Sequence, residues 1–147
     1  MKINRIPDNR MRHMQKVAEY MLENADKYNL DKDEMYTLGL LHDIGYLFGA
    51  ENHEINGENL LKKENYKYAN IVGLHGLTPN EFLIKFGKDI PIELILLWEA
   101  DMSININGEN VGFDKRLEDI KSRHGENSRA YITSKERVEW LKENIKK

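Results

Sequence analysis

The sequence predicts an all-α protein, a compact multi-helix bundle of about eight helices. Three observations carry that expectation. Apolar residues recur at steps of three and four, no segment sustains period-two alternation, and cap signals stand before most apolar stretches. Residues 9–28 hold the first stripe, Met11, Met14, Ala18, Met21, Ala25 and Tyr28, with Asp8 placed to cap it after Pro7. A second helix is expected from Asp31, with Glu34 as capping-box partner. It runs through Met35, Leu38, Leu40 and Leu41 and should end near Gly45 or Gly49. A third fits Glu54 to Glu64 and a fourth Tyr68 to Leu74. Thr78-Pro79 reads as cap and first residue of a short fifth helix. Pro91 opens a sixth, whose body Ile92 to Ala100 is almost entirely apolar and therefore central. Asn105-Ile106-Asn107-Gly108 is a loop signal. A short helix is expected from Asp114 to Arg123, stopped by Gly125. The last helix takes Thr133 as cap and Glu136 three residues on, then Val138, Leu141 and Ile145. Stretch 105–132 leaves room for a small hairpin.

At 147 residues and 17.3 kDa the chain suits one domain. Lys and Arg number 22 against 25 Asp and Glu, a formal net charge of −3. Binding duplex nucleic acid by phosphate neutralisation calls for a basic excess or stripe, so nucleic acid is not expected as a partner. A small phosphorylated ligand is compatible with so mild a charge. With no cysteine, disulfides, thiolate metal sites and cysteine nucleophiles are excluded. Met1-Lys2-Ile3-Asn4-Arg5 opens no signal-peptide apolar region. No apolar run reaches the roughly 18 residues a bilayer span needs. A cytoplasmic protein with no membrane partner is the expectation.

The chemistry concentrates in histidine and aspartate. His42 and Asp43 follow the apolar run Leu38-Gly39-Leu40-Leu41, so the buried helix emerges from the core with this pair at a pocket edge. Asp101 ends the apolar helix Leu94–Ala100. A carboxylate there opposes the helix dipole, and something positive should compensate, a cation being one candidate. His13 flanks the first stripe, and from position alone it reads as a half-buried surface histidine. Imidazole nitrogen and carboxylate oxygen from several helices, without thiolate, make a ligand set for a divalent transition metal. His124, at a helix end before Gly125, suits the dipole and reads as nothing more. Tyr46 and Trp98 read as core aromatics, and Glu54 and Glu58 as surface helix residues.

Arg12-His13, Leu40-Leu41-His42-Asp43-Ile44-Gly45 and Trp98-Glu99-Ala100-Asp101-Met102-Ser103 together resemble the HD-domain superfamily of metal-dependent phosphohydrolases. The string His42-Asp43-Ile44-Gly45 is the one that names its HDIG subgroup. The resemblance implies a single HD domain over 1–147, with a motif-bearing core over about 10–105 and a C-terminal helical extension over 106–147. It implies His13, His42, Asp43 and Asp101 as ligands of a first metal. His53 and His75 resemble the two extra histidines of the dinuclear branches, so Asp43 would bridge two ions and act with His42 in catalysis. Fe or Mn is favoured, with Ni, Co and Zn compatible. The implied reaction is cleavage of a phosphate ester or anhydride of a small molecule, a nucleotide favoured, by a metal-activated hydroxide. Lys62, Arg116 and Arg123 are the candidates for neutralising the phosphate. The Gly-Tyr-Pro motif of the HD-GYP phosphodiesterases and the Tyr-Ala-Lys of the tetraphosphate hydrolases are both absent. Two rival readings use the same ligands: a di-iron HD-domain oxygenase acting on a small polyol or phosphonate, and a non-catalytic metal- or ligand-binding regulatory module.

Overall fold

The computed structural model describes residues 5–145, so the Met1–Asn4 portion of the N-terminal segment considered above lies outside the described residues. The architecture is all-α, eight α-helices with two short 3-10 turns and no strand among the described residues. The helices are α1 (Asp8–Asn24), α2 (Lys32–Leu41), α3 (His53–Lys63), α4 (Ala69–Leu74), α5 (Pro79–Phe86), α6 (Ile92–Asp101), α7 (Gly112–His124) and α8 (Arg129–Asn144). The 3-10 turns, Ala25–Tyr28 and Ile44–Phe48, extend α1 and follow α2. The second helix thus stops at Leu41, earlier than Gly45, and the chain tightens until Gly49 takes the closing position.

Helix α6 is central. Leu94, Leu96, Leu97, Trp98 and Ala100 are all buried there, as its apolar composition required. Around it pack Val17 and Met21 of α1, Met35 and Leu38 of α2, Ile71 and Val72 of α4, and Val138 and Leu141 of α8. Burial of this apolar surface is the main stabilising contribution.

Two glycines set distances that matter for the site. A Cβ on Gly39 would stand 2.7 Å from the Ala18 Cα, so α1 and α2 touch backbone to backbone. A Cβ on Gly45 would stand 1.7 Å from the His53 carbonyl oxygen and 2.8 Å from the Gly57 nitrogen. Only a residue without a side chain lets the Ile44–Phe48 turn lie that close to α3.

The caps differ in part from expectation. Asp31 accepts from the Glu34 N–H, and Thr78 with Glu81 forms a complete capping box. Asp8 is inside the first turn of α1, with Pro7 at the cap position. The last helix begins at Arg129, capped by Ser128, rather than at Thr133. Thr133 is helical, its hydroxyl donating to the Arg129 carbonyl, and Glu136 accepts from the Asn80 N–H of α5. The anticipated hairpin reduces to one antiparallel bridge, Ile104 with Asn110. Its loop ends are tied by Asn105 N–H to the Glu109 carbonyl at 2.8 Å and Val111 N–H to the Ser103 carbonyl at 2.9 Å.

Candidate metal centre

Six side chains from five places in the chain meet at one end of α6. His13 comes from α1, His42 and Asp43 from the end of α2, His53 from the start of α3, His75 from the end of α4 and Asp101 from the end of α6. His13, His42, Asp43 and His75 are buried, and His53 and Asp101 partly so. His13 is fully buried, at 0% exposure, which corrects the half-exposed surface histidine expected from its position. The reason is long-range: α6 and the loop after it close over this flank of α1.

Each histidine is oriented the same way. Its Nδ1 faces a backbone carbonyl: Asn105 at 3.0 Å for His13, Gly39 at 2.6 Å for His42, Ala50 at 3.0 Å for His53 and Val72 at 2.6 Å for His75. A carbonyl can only accept, so Nδ1 carries a proton and Nε2 is the atom each ring would offer to a metal. All four Nε2 atoms then turn towards Asp43 and Asp101. The carbonyls of Gly39 and Val72 lie three residues before their histidines, so the helix ends themselves supply two of these anchors. His75 is fixed further by its own carbonyl, which accepts from the Trp98 indole at 2.9 Å. Beyond it the Gly76 and Leu77 carbonyls accept from the Arg137 guanidinium.

Asp43 divides its two oxygens between two histidine pairs. Oδ1 lies 3.4 Å from His53 Nε2 and 3.3 Å from His75 Nε2. Oδ2 lies 3.2 Å from His42 Nε2 and 3.9 Å from His13 Nε2. Asp101 Oδ1 lies on the His13 and His42 side, at 2.8 and 3.5 Å. Two groups of donor atoms result, His13, His42 and Asp43, and Asp43, His53 and His75, each with its atoms within 4.8 Å of one another. This spacing and donor chemistry fit divalent metal ions. One orphan atom supports the fit: buried His42 Nε2 is close to both carboxylates yet hydrogen-bonded to no group among the described residues.

The charges are strongly coupled. Burial works against the charge of His42, but Asp43, helped by Asp101, outweighs it and pushes the imidazole up to about 10. Burial likewise opposes the Asp43 and Asp101 carboxylates, yet the surrounding histidines hold both well below the usual carboxylate range. The pocket thus holds carboxylate charge that needs cations, protons in their absence. Burial first, and then the Asp43 charge, pushes the Tyr46 phenol up to about 12. Tyr46 is no simple core residue. Its ring lies 4.4 Å from that of His53, and the Arg10 guanidinium sits 4.4 Å above it. The same guanidinium donates to Asp43 Oδ2 at 3.2 Å.

Above the cluster opens a cleft of about 340 Å3. Of the three basic candidates from sequence, Arg116 and Arg123 line it. Lys62 does not: it is largely exposed on α3 and pairs with Glu58 at 2.8 Å. Sequence reasoning passed over Arg10, Arg129 and Arg137, and read His124 as a helix-end residue and Glu54 as a surface one; all five line the cleft. Helical spacing held the signal. Arg10 precedes His13 by three residues, and Arg116, Ile120 and Arg123 share one face of α7. Arg129, Thr133 and Arg137 share one face of α8.

No curated protein and no solved structure gives a significant match to this chain. A family model does: that of the HD domain matches residues 10–105. The matched span contains all six clustered side chains and covers well over half of the sequence, and on that ground the chain belongs to the HD-domain family.

Proposed function

We propose that this HD-domain protein is a metal-dependent phosphohydrolase acting on a phosphate ester or anhydride of a small molecule, a nucleotide being the favoured substrate. The observation that carries the reading is the division of Asp43. One carboxylate, with an oxygen towards each of two histidine pairs, sits at the floor of a cleft lined by arginine. His13, His42, Asp43 and Asp101 would hold one ion, and Asp43, His53 and His75 a second, with iron or manganese favoured. Ions bound there supply Lewis acidity and bring the deprotonation of water to near-neutral pH.

The chain's own residues do the rest. The carbonyl anchors hold the imidazole rings fixed in direction, with Nε2 turned towards the carboxylates. Arg10 and Arg116 stand over the floor to neutralise non-bridging phosphate oxygens, where bidentate guanidinium contacts are strongest. Tyr46 stacks between Arg10 and His53, holding both in place. Concentrated positive charge favours an anionic phosphate or phosphonate over the neutral polyol of the oxygenase reading. A cytoplasmic location and the absence of nucleic-acid and membrane partners belong to the same proposal. Among the described residues, no helix is long and apolar enough to cross a membrane.

The test is anaerobic purification, elemental analysis, and a panel of phosphate esters and anhydrides assayed without oxygen. Near two equivalents of transition metal and metal-dependent phosphate release are expected. Oxygen consumption with a mixed-valence iron signal and no phosphate release would replace the hydrolase by an oxygenase. Bound metal with no turnover on any ester would leave a regulatory module.

A further inference from the structure

The basic residues of the chain are sorted by type. Five of its seven arginines, Arg10, Arg116, Arg123, Arg129 and Arg137, line the cleft above the histidine cluster. None of the twelve lysines among the described residues does. A protein that merely needed positive potential could use either type. A fork of N–H donors matched to phosphate oxygens is what only arginine offers. The segregation is therefore a recognition surface rather than a general field.

The arginines also differ in depth. Arg116 is buried, with its side chain 7% exposed, and its Nε donates to the Asp101 carbonyl at 3.1 Å. Its Nη1 is buried without a hydrogen bond among the described residues and lies 3.6 Å from Asp119. Arg10, 19% exposed, reaches Asp43. These two belong to the floor. Arg123 and Arg129 are more exposed, at 36% and 77%, and stand at the mouth. Arg123 pairs with Asp119 at 3.2 Å, and Arg129 approaches Glu81 only to 3.6 Å. Such exposed pairs are weak, and an incoming anion can exchange for them at little cost. Arg137 is different again, since it is spent on the Gly76 and Leu77 carbonyls.

We propose that the cleft takes a small molecule carrying two separated phosphate groups, one seated at the floor and the second held at the mouth by Arg123 and Arg129. The inference rests on the hydrolase reading for what happens at the floor, and adds to it the substrate class, a bisphosphate rather than a simple monoester. The mouth arginines come from α7 and α8, outside residues 10–105 that match the family. The second subsite is thus a property of this chain's C-terminal part.

The test is binding, free of turnover. Metal-loaded protein is titrated calorimetrically with methylphosphonate and with alkanediphosphonates having one, two or three methylenes between the phosphonates. The same titrations follow on the Arg123→Ala/Arg129→Ala double variant and on Lys121→Ala, which removes a charge from α7 outside the cleft. The best diphosphonate should bind about tenfold or more tighter than methylphosphonate, two charge-assisted contacts being added. The double variant should lose that advantage and keep the methylphosphonate affinity, and Lys121→Ala should resemble the parent. Both mouth side chains are well exposed, and circular dichroism checks that the double variant is folded. Equal affinity for one and two phosphonates, or a diphosphonate advantage that survives in the double variant, overturns the proposal. Discrimination lost in the double variant but present in a parent that hydrolyses nothing would uphold the subsite while the hydrolase reading falls. Hydrolysis without discrimination would do the reverse.

Discussion

Glu99 and Asp101 stand two residues apart on α6, on faces about 200° apart, and the two carboxylates have opposite circumstances. Glu99, 1% exposed, accepts from the Tyr28 hydroxyl at 2.6 Å, the Lys27 ammonium at 2.8 Å and the Tyr20 hydroxyl. Its donors come from α1 and the 3-10 turn that extends it, so the charge is neutralised and hydrogen-bonded where it lies. Asp101, with Asp43, faces histidine rings anchored on carbonyls through Nδ1; His13 Nε2 is hydrogen-bonded to Asp101 at 2.8 Å, whereas His42 Nε2 makes no hydrogen bond among the described residues. A buried acid with its donors in place holds a fold together. Acids ringed by imidazoles that could ligate a metal are arranged for something that arrives later. The difference separates a structural cluster from a reactive one, although burial alone would rank them together.

The sharpest way to break the comparison is Asp43→Asn. One neutral amide cannot serve as the shared anionic ligand of two groups. Metal content should fall to one equivalent or less, and phosphate release by at least about a thousandfold, the equivalent of several kcal/mol of metal-supplied stabilisation. Far-UV circular dichroism should be unchanged. Elemental analysis of the variant decides it, and two retained equivalents would remove Asp43 from the bridging position.

How much of this could be read from sequence follows the range of the interactions. The helices on strong local signals, such as α6 with its apolar body and α5 with its Thr78–Glu81 box, lie where periodicity and capping put them. Thr133 and Glu136 imitated a capping box, but Ser128 caps α8 and Glu136 is engaged with α5. A local pattern cannot reveal that its partner lies 56 residues away. The burial of His13 was hidden for the same reason, since its cover is 92 residues further on. The grouping of His13, His42, Asp43, His53, His75 and Asp101 came from family resemblance rather than from spacing. The arginine cleft was half visible: Arg116 and Arg123 were singled out, whereas the α8 stripe was not connected to the site.

A second way to sharpen the comparison acts on backbone alone. Gly45→Ala places a methyl group 1.7 Å from the His53 carbonyl oxygen. Backbone cannot yield there as a flexible side chain would, so α3 must move away from the Ile44–Phe48 turn. The cost should be about 1–3 kcal/mol, the range for overpacking, or somewhat more. Because His53 opens α3, the second ion should weaken while the first, on His13, His42 and Asp101, is largely kept. A chelator titration followed by metal release would show one equivalent leaving at lower chelator concentration than in the parent. Loss of both ions together would mean the two groups are not separable.

The smallest effect is expected on the other face of α6. Glu99→Gln keeps the shape and one acceptor oxygen but removes the charge. The tyrosine hydroxyls can rotate to accept from the new amide. Lys27, 27% exposed, can turn to water. The loss should be about 1–3 kcal/mol, the cost of weakening buried charged hydrogen bonds. In a chain of this size that lowers the melting temperature by roughly 3–10 °C. Metal stoichiometry should stay at the parental value, because Asp101 and the histidines face the other way. Thermal melts and elemental analysis on one sample give both numbers. A melting temperature that stays put while metal is lost would mean that Glu99 acts on the centre through α6, and the two faces would no longer be independent.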